Sequence, residues 1–318
     1  MKKFVLFVLI LCVCCTIGAC LCVRKFLFDP IDYDKSVVFE LQKGDTAQTL
    51  AENLTRQKFA PHPLFVRLAM RFYGLDTRLK AGEYLLKPHM SLKNILQTFT
   101  SHKVIMHKLT LPEGLTTFQM LTLIQNNALL SGAITENANE GEMLPETYTF
   151  VKGETRNSII KSAKKQMQKA LDDAWKNRDE NLPLKDKYEF LILASIVEKE
   201  TGINAERAKV ASVFVNRLNI NMPLQTDPTV IYALTLGQSE LKRSLKRKDL
   251  EIDSPYNTYK YKGLPPTPIC NPGIKALEAV SHPETTPYFY FVADGNGGHR
   301  FATTLSEHNQ NIKLWLKK

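Results

Sequence analysis

Outside its first 25 residues the sequence has almost no cysteine. Five of the six cysteines of the 318-residue chain lie between residues 12 and 22, which leaves Cys270 alone in the remainder. A single thiol excludes an intramolecular disulfide framework there. Scarcity of thiols also suits an oxidising compartment, although it does not establish one.

The sequence lacks the motifs of several large enzyme classes. Its seven histidines are scattered, with no H-E-x-x-H and no paired cysteines of the kind that bind zinc. It has no G-x-S-x-G nucleophile elbow and no phosphate-binding loop. We therefore expect neither a metal nor a cofactor.

Charge is missing from one stretch, Phe4 to Val23, which lies between Lys2–Lys3 and Arg24–Lys25. These twenty residues would span about 30 Å as a helix, the thickness of a bilayer's hydrocarbon core. The stretch is therefore a membrane span or a signal peptide. Ile17-Gly18-Ala19-Cys20 resembles a lipoprotein cleavage site, but the apolar run continues past it. We predict an uncleaved single anchor.

The formal net charge is +10, which makes nucleic acid one possible partner. If the chain after Arg24 is exported, it meets anionic cell wall and lipid headgroups instead. Two basic residues flank each end of the apolar stretch, so the charge count says little about orientation. We predict a cytoplasmic head of three residues and a main part on the extracytoplasmic side of the cytoplasmic (inner) membrane.

The region after the anchor predicts two strands around two helices. After a linker at residues 26–36, the pattern indicates a strand at 37–41, helices at 46–56 and 63–72, and a strand at 81–86. Asp45 or Thr46 is the expected N-cap of the first helix. We assign residues 37–100 to one domain, and this order of elements is that of a LysM-like module.

The rest of the chain, residues 101–318, predicts a mixed α+β domain. Its pattern favours an amphipathic helix at 156–178, a buried helix at 205–218, a hairpin at 288–302 and a C-terminal helix from 306. Asp227 before Pro228 is the expected N-cap of another helix. The fold class is therefore α+β, with a single N-terminal transmembrane helix.

The stretch Phe190–Thr201, FLILASIVEKET, predicts a buried central helix that ends in two acids. At about 100° per residue, Glu198 and Glu200 lie on different sides of the axis, and Glu200 falls between apolar positions. A carboxyl group in an apolar pocket has a raised pKa, as a general acid needs. The helix geometry favours Glu200 for that role. Pairing of either acid with Lys199, Arg207 or Lys209 on a solvated helix end explains the spacing about as well.

Polar residues that suit a sugar lie further along the chain. Gln225 and Thr226 come just before the helix of Pro228, where side chains can face a cleft. The irregular segment Ser254–Pro272 is rich in Pro, Tyr and Asn, and its candidates are Tyr256, Asn257 and Tyr259. Aromatic rings stack on sugar faces and amides pair with hydroxyls. Ordinary loop packing explains these residues equally well.

Long segments resemble the bacterial endolytic murein transglycosylases, the YceG-like family. They include LPETYTF, ASIVEKET, ERAKVASVFVNRL, MPLQTDPTVIYAL, SPYNTYKYKGLPPTPICNPG and YFYFVADGNGGHRFATTLSEHN, and the resemblance covers nearly everything from residue 37 onward. In that family the acid before Thr is catalytic, which implies Glu200. Thr201 would then orient Glu200 or bind substrate. The resemblance also implies that the LysM-like part belongs to the fold.

The resemblance implies a lyase of peptidoglycan. One acid would protonate the oxygen between MurNAc and GlcNAc and then take the proton of the C6 hydroxyl, leaving a 1,6-anhydro end inside a nascent strand. The expected partners are glycan strands, the cytoplasmic membrane and the peptidoglycan synthases, and no nucleic acid. A muramidase of the same bond and a non-catalytic glycan-binding scaffold remain as alternatives.

Overall fold

The computed structural model describes residues 2–42, 44–75, 78–101 and 103–316. Its helices and strands follow one another in mixed order, which confirms the predicted α+β class. The helices are α1 (Lys2–Phe28), α2 (Ala47–Arg56), α3 (Pro63–Phe72), α4 (Leu92–Thr100), α5 (Thr117–Asn126), α6 (Arg156–Lys176), α7 (Lys187–Glu200), α8 (Asn204–Asn219), α9 (Asp227–Thr235), α10 (Ile274–Ser281) and α11 (Leu305–Trp315). The strands are β1 (Val37–Leu41), β2 (Gly82–Leu86), β3 (His107–Thr110), β4 (Thr147–Phe150), β5 (Tyr290–Ala293) and β6 (His299–Ala302).

The chain divides into two compact units. Unit 1 comprises Met1–His107 and Thr149–Gly153, and unit 2 comprises Lys108–Tyr148 and Glu154–Lys318. Strands pair in order β1–β2, β3–β4 and β5–β6, each pair a two-stranded sheet. The predicted boundary between residues 100 and 101 stays a prediction.

The helix α1 carries the charge-free stretch. Its segment Phe4–Phe28 reaches a mean hydropathy of 3.0 over 18 residues and is long and apolar enough to cross a membrane. Its last turn is different, because Leu27 is only 7% exposed and belongs to the core of unit 1. Ile31 donates its N–H to the Met90 carbonyl at 3.1 Å, and the Tyr33 ring lies 5.0 Å from that of Phe59. The segment predicted as a linker, residues 26–36, therefore contributes contacts to unit 1.

Unit 1 has the predicted order of strand, helix, helix and strand. β1 and β2 pair antiparallel, with Phe39 opposite Tyr84, and both rings are buried. Side chains alternate between the two faces of a strand, so one face of this pair covers the core formed with α2, α3 and α4. Thr46 caps α2 through a capping box, one of the two predicted N-caps. The assignment of this unit as LysM-like stays a prediction.

Unit 2 is built around several packed helices. Phe190 to Val197 are each at most 4% exposed, because α7 contacts α6, α8, α9 and α10. Asp186 begins α7 by accepting hydrogen bonds from the N–H groups of Tyr188 and Glu189, each at 2.9 Å. The buried Cys270 thiol contacts the Ser195 carbonyl at 3.3 Å, and burial raises its pKa. At the C-terminal end of α7, Glu198 is buried and Glu200 is partly exposed.

Candidate active site

Glu198 is tied into an ion-pair cluster at the end of α7. Its Oε1 accepts from Arg207 Nη2 at 3.2 Å and its Oε2 from the Gly273 N–H at 2.9 Å. The carboxyl group is nearly buried, and Glu113 also lies 3.6 Å from the same arginine nitrogen. Burial raises the pKa of Glu198, while the Gly273 N–H and the Arg207 charge oppose that rise. Pairing with Arg207, the alternative stated for both acids, is thus found for Glu198.

Gly273 makes this cluster possible by lacking a side chain. A Cβ atom placed there would lie 1.9 Å from the Glu113 Oε1. The backbone of residue 273 can therefore approach both acids closely, and its N–H reaches Glu198. The carboxyl of Glu198 is fully occupied by protein groups and faces no open cleft.

Glu200 lies in different surroundings on the same helix. Its Oε1 accepts a short hydrogen bond from the Thr226 hydroxyl. Burial raises the pKa of Glu200 to about 7; the Thr226 hydrogen bond and the charges of His299 and Arg217 lower it, and the Asp227 charge raises it. A carboxyl group with this pKa exists in both forms near neutral pH, so it can donate a proton and take one back. Its catalytic role stays a prediction.

Thr226 is held by a small network of threonines. It is 2% exposed, and its N–H donates to the Thr258 hydroxyl at 3.1 Å. The hydroxyls of Thr229 and Thr258 lie 2.8 Å apart, and Thr229 also donates to the Thr226 carbonyl at 2.7 Å. This network fixes the Thr226 hydroxyl toward Glu200. Thr226 therefore holds the acid, rather than facing a cleft as predicted.

The helix α9 begins one residue earlier than the sequence indicated. Thr226 is its N-cap and Asp227 is its first residue, so the prediction of Asp227 as N-cap was wrong by one position. The Thr226 hydroxyl makes no capping bond, and it donates to Glu200. Asp227 is left free to accept a hydrogen bond from the Tyr259 hydroxyl at 2.6 Å.

Tyr259 connects the irregular loop to the acid. It is partly buried, and burial with the Asp227 charge raises its pKa, so the phenol stays protonated. The Glu200 charge also raises the pKa of Tyr259. Gln225, the neighbour of Thr226, has an exposed side chain and a left-handed backbone with φ +49°. Such a conformation is uncommon for a residue with a side chain and often accompanies functional sites.

Two predicted substrate-binding residues are instead internal. Asn257 has no exposed surface; its Nδ2 donates to the Leu250 and Ile252 carbonyls at 2.9 and 2.8 Å, and its Oδ1 accepts from the Tyr259 N–H. Thr201 is 4% exposed, and its hydroxyl accepts from the Ile203 N–H at 3.0 Å. These polar groups hold the backbone of their own loops, and contact of either residue with substrate stays a prediction.

Sequence reasoning missed two basic side chains, Arg217 and His299, that act on the pKa of Glu200. Arg217 on α8 is 7% exposed and donates to three carbonyls, those of Phe289, Pro223 and Leu224. It therefore joins α8 to the segment that leads into Thr226. The ring Nδ1 of His299 lies 2.7 Å from Glu206 Oε2, and the backbone N–H of His299 donates to Glu206 Oε1 at 3.1 Å. An arginine within the apolar string ASVFVNRL was the one signal that pointed to a buried cation.

The described residues contain no group of three or more His, Cys, Asp or Glu side chains arranged for a metal ion.

Comparison with known proteins adds independent information. The YceG-like family matches residues 39–314. A protein of Bacillus subtilis (strain 168) named endolytic murein transglycosylase is 32% identical over 334 aligned residues, 94% of this chain and 91% of that protein. A protein of the same name from Streptococcus pneumoniae serotype 2 is 29% identical, over 89% of this chain and 59% of its own length. A crystal structure of a YceG-like protein from Listeria monocytogenes has a TM-score of 0.54 at 32% identity, covering 87% of this chain and 99% of that one.

Proposed function

This chain belongs to the YceG-like family, and from that premise we propose that it is an endolytic murein transglycosylase with Glu200 as its acid and base. The activity is that named for its relatives, which share up to 32% of their residues with it over most of its length. The observation that carries the residue assignment is that Glu200 accepts from the Thr226 hydroxyl through Oε1, while no other described residue hydrogen-bonds its Oε2. Burial also raises its pKa to about 7. The other acid of α7 is occupied by Arg207 and Gly273.

The reaction needs one group that gives and recovers a proton. Protonated Glu200 donates to the oxygen between MurNAc and GlcNAc, and the C1–O bond breaks. The resulting carboxylate takes the proton of the MurNAc C6 hydroxyl, whose oxygen bonds to C1 and closes the 1,6-anhydro ring. The proton is thereby returned to Glu200 and no water is consumed.

The neighbours of Glu200 support both halves of this cycle. Burial and the Asp227 charge favour the protonated acid before cleavage. The Thr226 hydrogen bond and the positive charges of Arg217 and His299 favour the carboxylate that forms after it. These opposing influences hold the pKa near the pH of use, where acid–base catalysis is most efficient.

We assign glycan contact to the exposed side chains around this acid. Gln225 and Tyr259 are partly or fully exposed beside Glu200 and Asp227. The loop Ser254–Pro272 supplies Tyr259, and Asn257 holds that loop in place. An aromatic edge beside a carboxylate suits a sugar ring, which presents both an apolar face and hydroxyls.

Product analysis tests the proposal. Purified peptidoglycan is digested with the wild-type chain, Glu200→Gln and Glu198→Gln, and the chain ends are analysed by mass spectrometry. We expect anhydro ends from the wild type and from Glu198→Gln, and none from folded Glu200→Gln. Reducing ends, heavier by one water, would identify a muramidase. Anhydro ends formed by Glu200→Gln at a rate within a few-fold of wild type would refute the assignment.

We further propose that α1 is an uncleaved anchor in the cytoplasmic membrane, with residues after Arg24 on its outer side. The length and hydropathy of α1 support a membrane span. A reporter fused to the C-terminus should be active only outside the cytoplasm. Fatty acid attached at Cys20, with loss of residues 1–19, would instead identify a lipoprotein. On this placement the LysM-like region, residues 37–100, lies next to the membrane, and nascent strands and their synthases are the expected neighbours.

A further inference from the structure

The helix α3 in unit 1 leaves an apolar stripe uncovered. Its inner face packs Val66, Ala69 and Met70 into the core. At about 100° per residue, four other apolar side chains fall within an adjacent arc of about 100°. They are Leu64, Phe65, Leu68 and Phe72, which are 51%, 46%, 55% and 82% exposed. A helix with apolar side chains over both arcs has one more apolar face than its own core uses.

The remaining arc of α3 is basic. Arg67 and Arg71 lie next to the exposed stripe, on the side away from the core. From Asn53 to Leu75 the sequence contains Arg56, Lys58 and these two arginines but no acid. Apolar side chains beside cations, without anions, match the boundary between lipid tails and anionic headgroups.

The stripe begins where α1 ends. The Phe26 ring of α1 lies 5.1 Å from the Phe65 ring of α3. Phe26 is three residues beyond Val23, about 4.5 Å along the helix from the end of the charge-free stretch. If α1 spans the bilayer, the contact between Phe26 and Phe65 lies at the level of the headgroups, where aromatic rings are favoured.

The end of α1 has no free hinge that would separate it from unit 1. Leu27 is packed in the core, and the Lys93 ammonium lies 5.0 Å from the centre of the Phe28 ring. A cavity of about 640 Å³ beside this turn is lined by Phe26 and Phe59, by Lys25 and Lys58, and by one acid, Asp29. Apolar and basic groups in one cavity suit a phospholipid, whose tails and phosphate need both.

We propose that unit 1 docks on the outer surface of the membrane through the exposed stripe of α3, with anionic phospholipid as the occupant of that surface. The inference rests on the proposed anchoring of α1. The bilayer covers the stripe because α1 is fixed to unit 1 and brings α3 to the headgroups. Arg67 and Arg71 face the lipid phosphates.

Depth-resolved quenching tests this docking on the full chain. The chain is reconstituted into vesicles of zwitterionic and anionic phospholipid, brominated either near the headgroup end or near the methyl end of the acyl chain. Three single variants report separate places: Leu68→Trp on the stripe, Val13→Trp in the middle of α1, and Gln48→Trp on an exposed position of α2. The wild type, with Trp175 and Trp315, gives the baseline that is subtracted.

We expect Leu68→Trp to lose emission mainly to bromine near the headgroups, because an interfacial helix buries its apolar face only about 5–10 Å. Val13→Trp should lose emission mainly to bromine near the methyl ends, and Gln48→Trp should lose none. Adding Arg67→Glu and Arg71→Glu to Leu68→Trp should reduce its quenching in anionic vesicles more than in neutral ones.

The outcomes separate the two proposals. If Val13→Trp is quenched while Leu68→Trp behaves like Gln48→Trp, the anchor holds and the docking is refuted. If Leu68→Trp is unquenched but its emission is shifted to the blue, the stripe is covered by protein and lipid is not the occupant. If Val13→Trp is unquenched, the anchoring itself fails, and the docking fails with it.

Discussion

Glu198 and Glu200 lie on two sides of the same helix end and have different hydrogen-bonding partners. Glu198 meets a guanidinium and a backbone N–H, which occupy both of its oxygens. Glu200, two residues later, meets one hydroxyl and a partly open surface. Both acids have raised pKa values through burial, but only one has an oxygen left for a substrate. The perturbed pKa therefore does not separate a structural acid from a catalytic one, whereas unfilled hydrogen-bonding capacity does.

The largest effect should come from removing the proton of Glu200. Glu200→Gln keeps the shape and can still accept from Thr226, but it cannot give and recover a proton. We expect kcat/KM to fall by about 10²–10⁴-fold, with an unchanged thermal unfolding curve near pH 5. Initial rates of anhydro-end formation measure it. A residual rate within a few-fold of wild type would mean that another group is the acid.

Glu198→Gln should act on stability instead. The buried Arg207 would lose its closest anion and keep only Glu113 at 3.6 Å. Removing one partner of a buried ion pair costs roughly 3–5 kcal/mol, and we expect the lower end of that range because Glu113 remains. Denaturant unfolding measures the loss. Glu189, also on α7, pairs with the exposed Lys185, so Glu189→Gln is the matched control. Equal losses in the two variants would contradict the difference drawn between the sites.

The pH dependence of stability distinguishes the same two acids. The pKa of Glu200 rises from 4.5 to about 7 on folding, so between these values the native state binds more protons than the unfolded state. Its contribution to stability is therefore present below pH 4.5 and is lost as pH rises through about 7. The unfolding free energy of wild type relative to Glu200→Gln should fall over this window by up to about 3 kcal/mol. A difference that rises with pH would mean that Glu200 is stabilised as the anion.

Within the loop Ser254–Pro272, substitution of Asn257 should mainly reduce stability, and substitution of Tyr259 should mainly reduce activity. Asn257→Ala leaves the Leu250 and Ile252 carbonyls without their donor, which costs about 1–3 kcal/mol. Tyr259→Phe removes only the hydroxyl that donates to Asp227. We expect it to reduce activity on glycan strands a few-fold while the melting temperature changes little. Parallel assays of rate and thermal unfolding decide, and a stability loss in Tyr259→Phe that matches its rate loss would make this residue structural.

The smallest effect should come from Thr226→Val. It removes the hydrogen bond that lowers the pKa of Glu200 and leaves the start of α9 intact, since that hydroxyl makes no capping bond. The alkaline limb of the pH–rate profile should move to higher pH, and the maximal rate should change by about twofold, the lower end of what one hydrogen bond contributes. A limb that moves to lower pH would contradict the direction of the Thr226 contribution.

Much of this fold can be predicted from local sequence, because its helices and strands follow hydrophobic periodicity and helix caps. The charge-free run predicted α1 and the continuous apolar run predicted α7. The strands predicted at residues 37–41 and 81–86 are β1 and β2. Family membership was also predicted, from segments such as ASIVEKET and MPLQTDPTVIYAL, and is confirmed.

The surroundings of the acid were less predictable, because they depend on tertiary contacts. Asn257 and Thr201 were predicted to contact substrate. Nothing local in the sequence indicates that their side chains hydrogen-bond backbone groups of the fold. Arg217 and His299 come from other elements and reach the acid only after folding. The asymmetry between Glu198 and Glu200 follows from helix geometry, but its cause, Arg207 together with Gly273, does not.

The close approach at Gly273 has a genetic consequence. A methyl group there would overlap the Glu113 carboxylate, which is half-exposed and can swing outward. Gly273→Ala should therefore displace Glu113 and leave Arg207 dependent on Glu198 alone. In a Glu113→Ala background the overlap is already gone, so the second substitution should add little. Positions 113 and 273 should show epistasis: a side chain becomes acceptable at 273 once 113 has given up its acid.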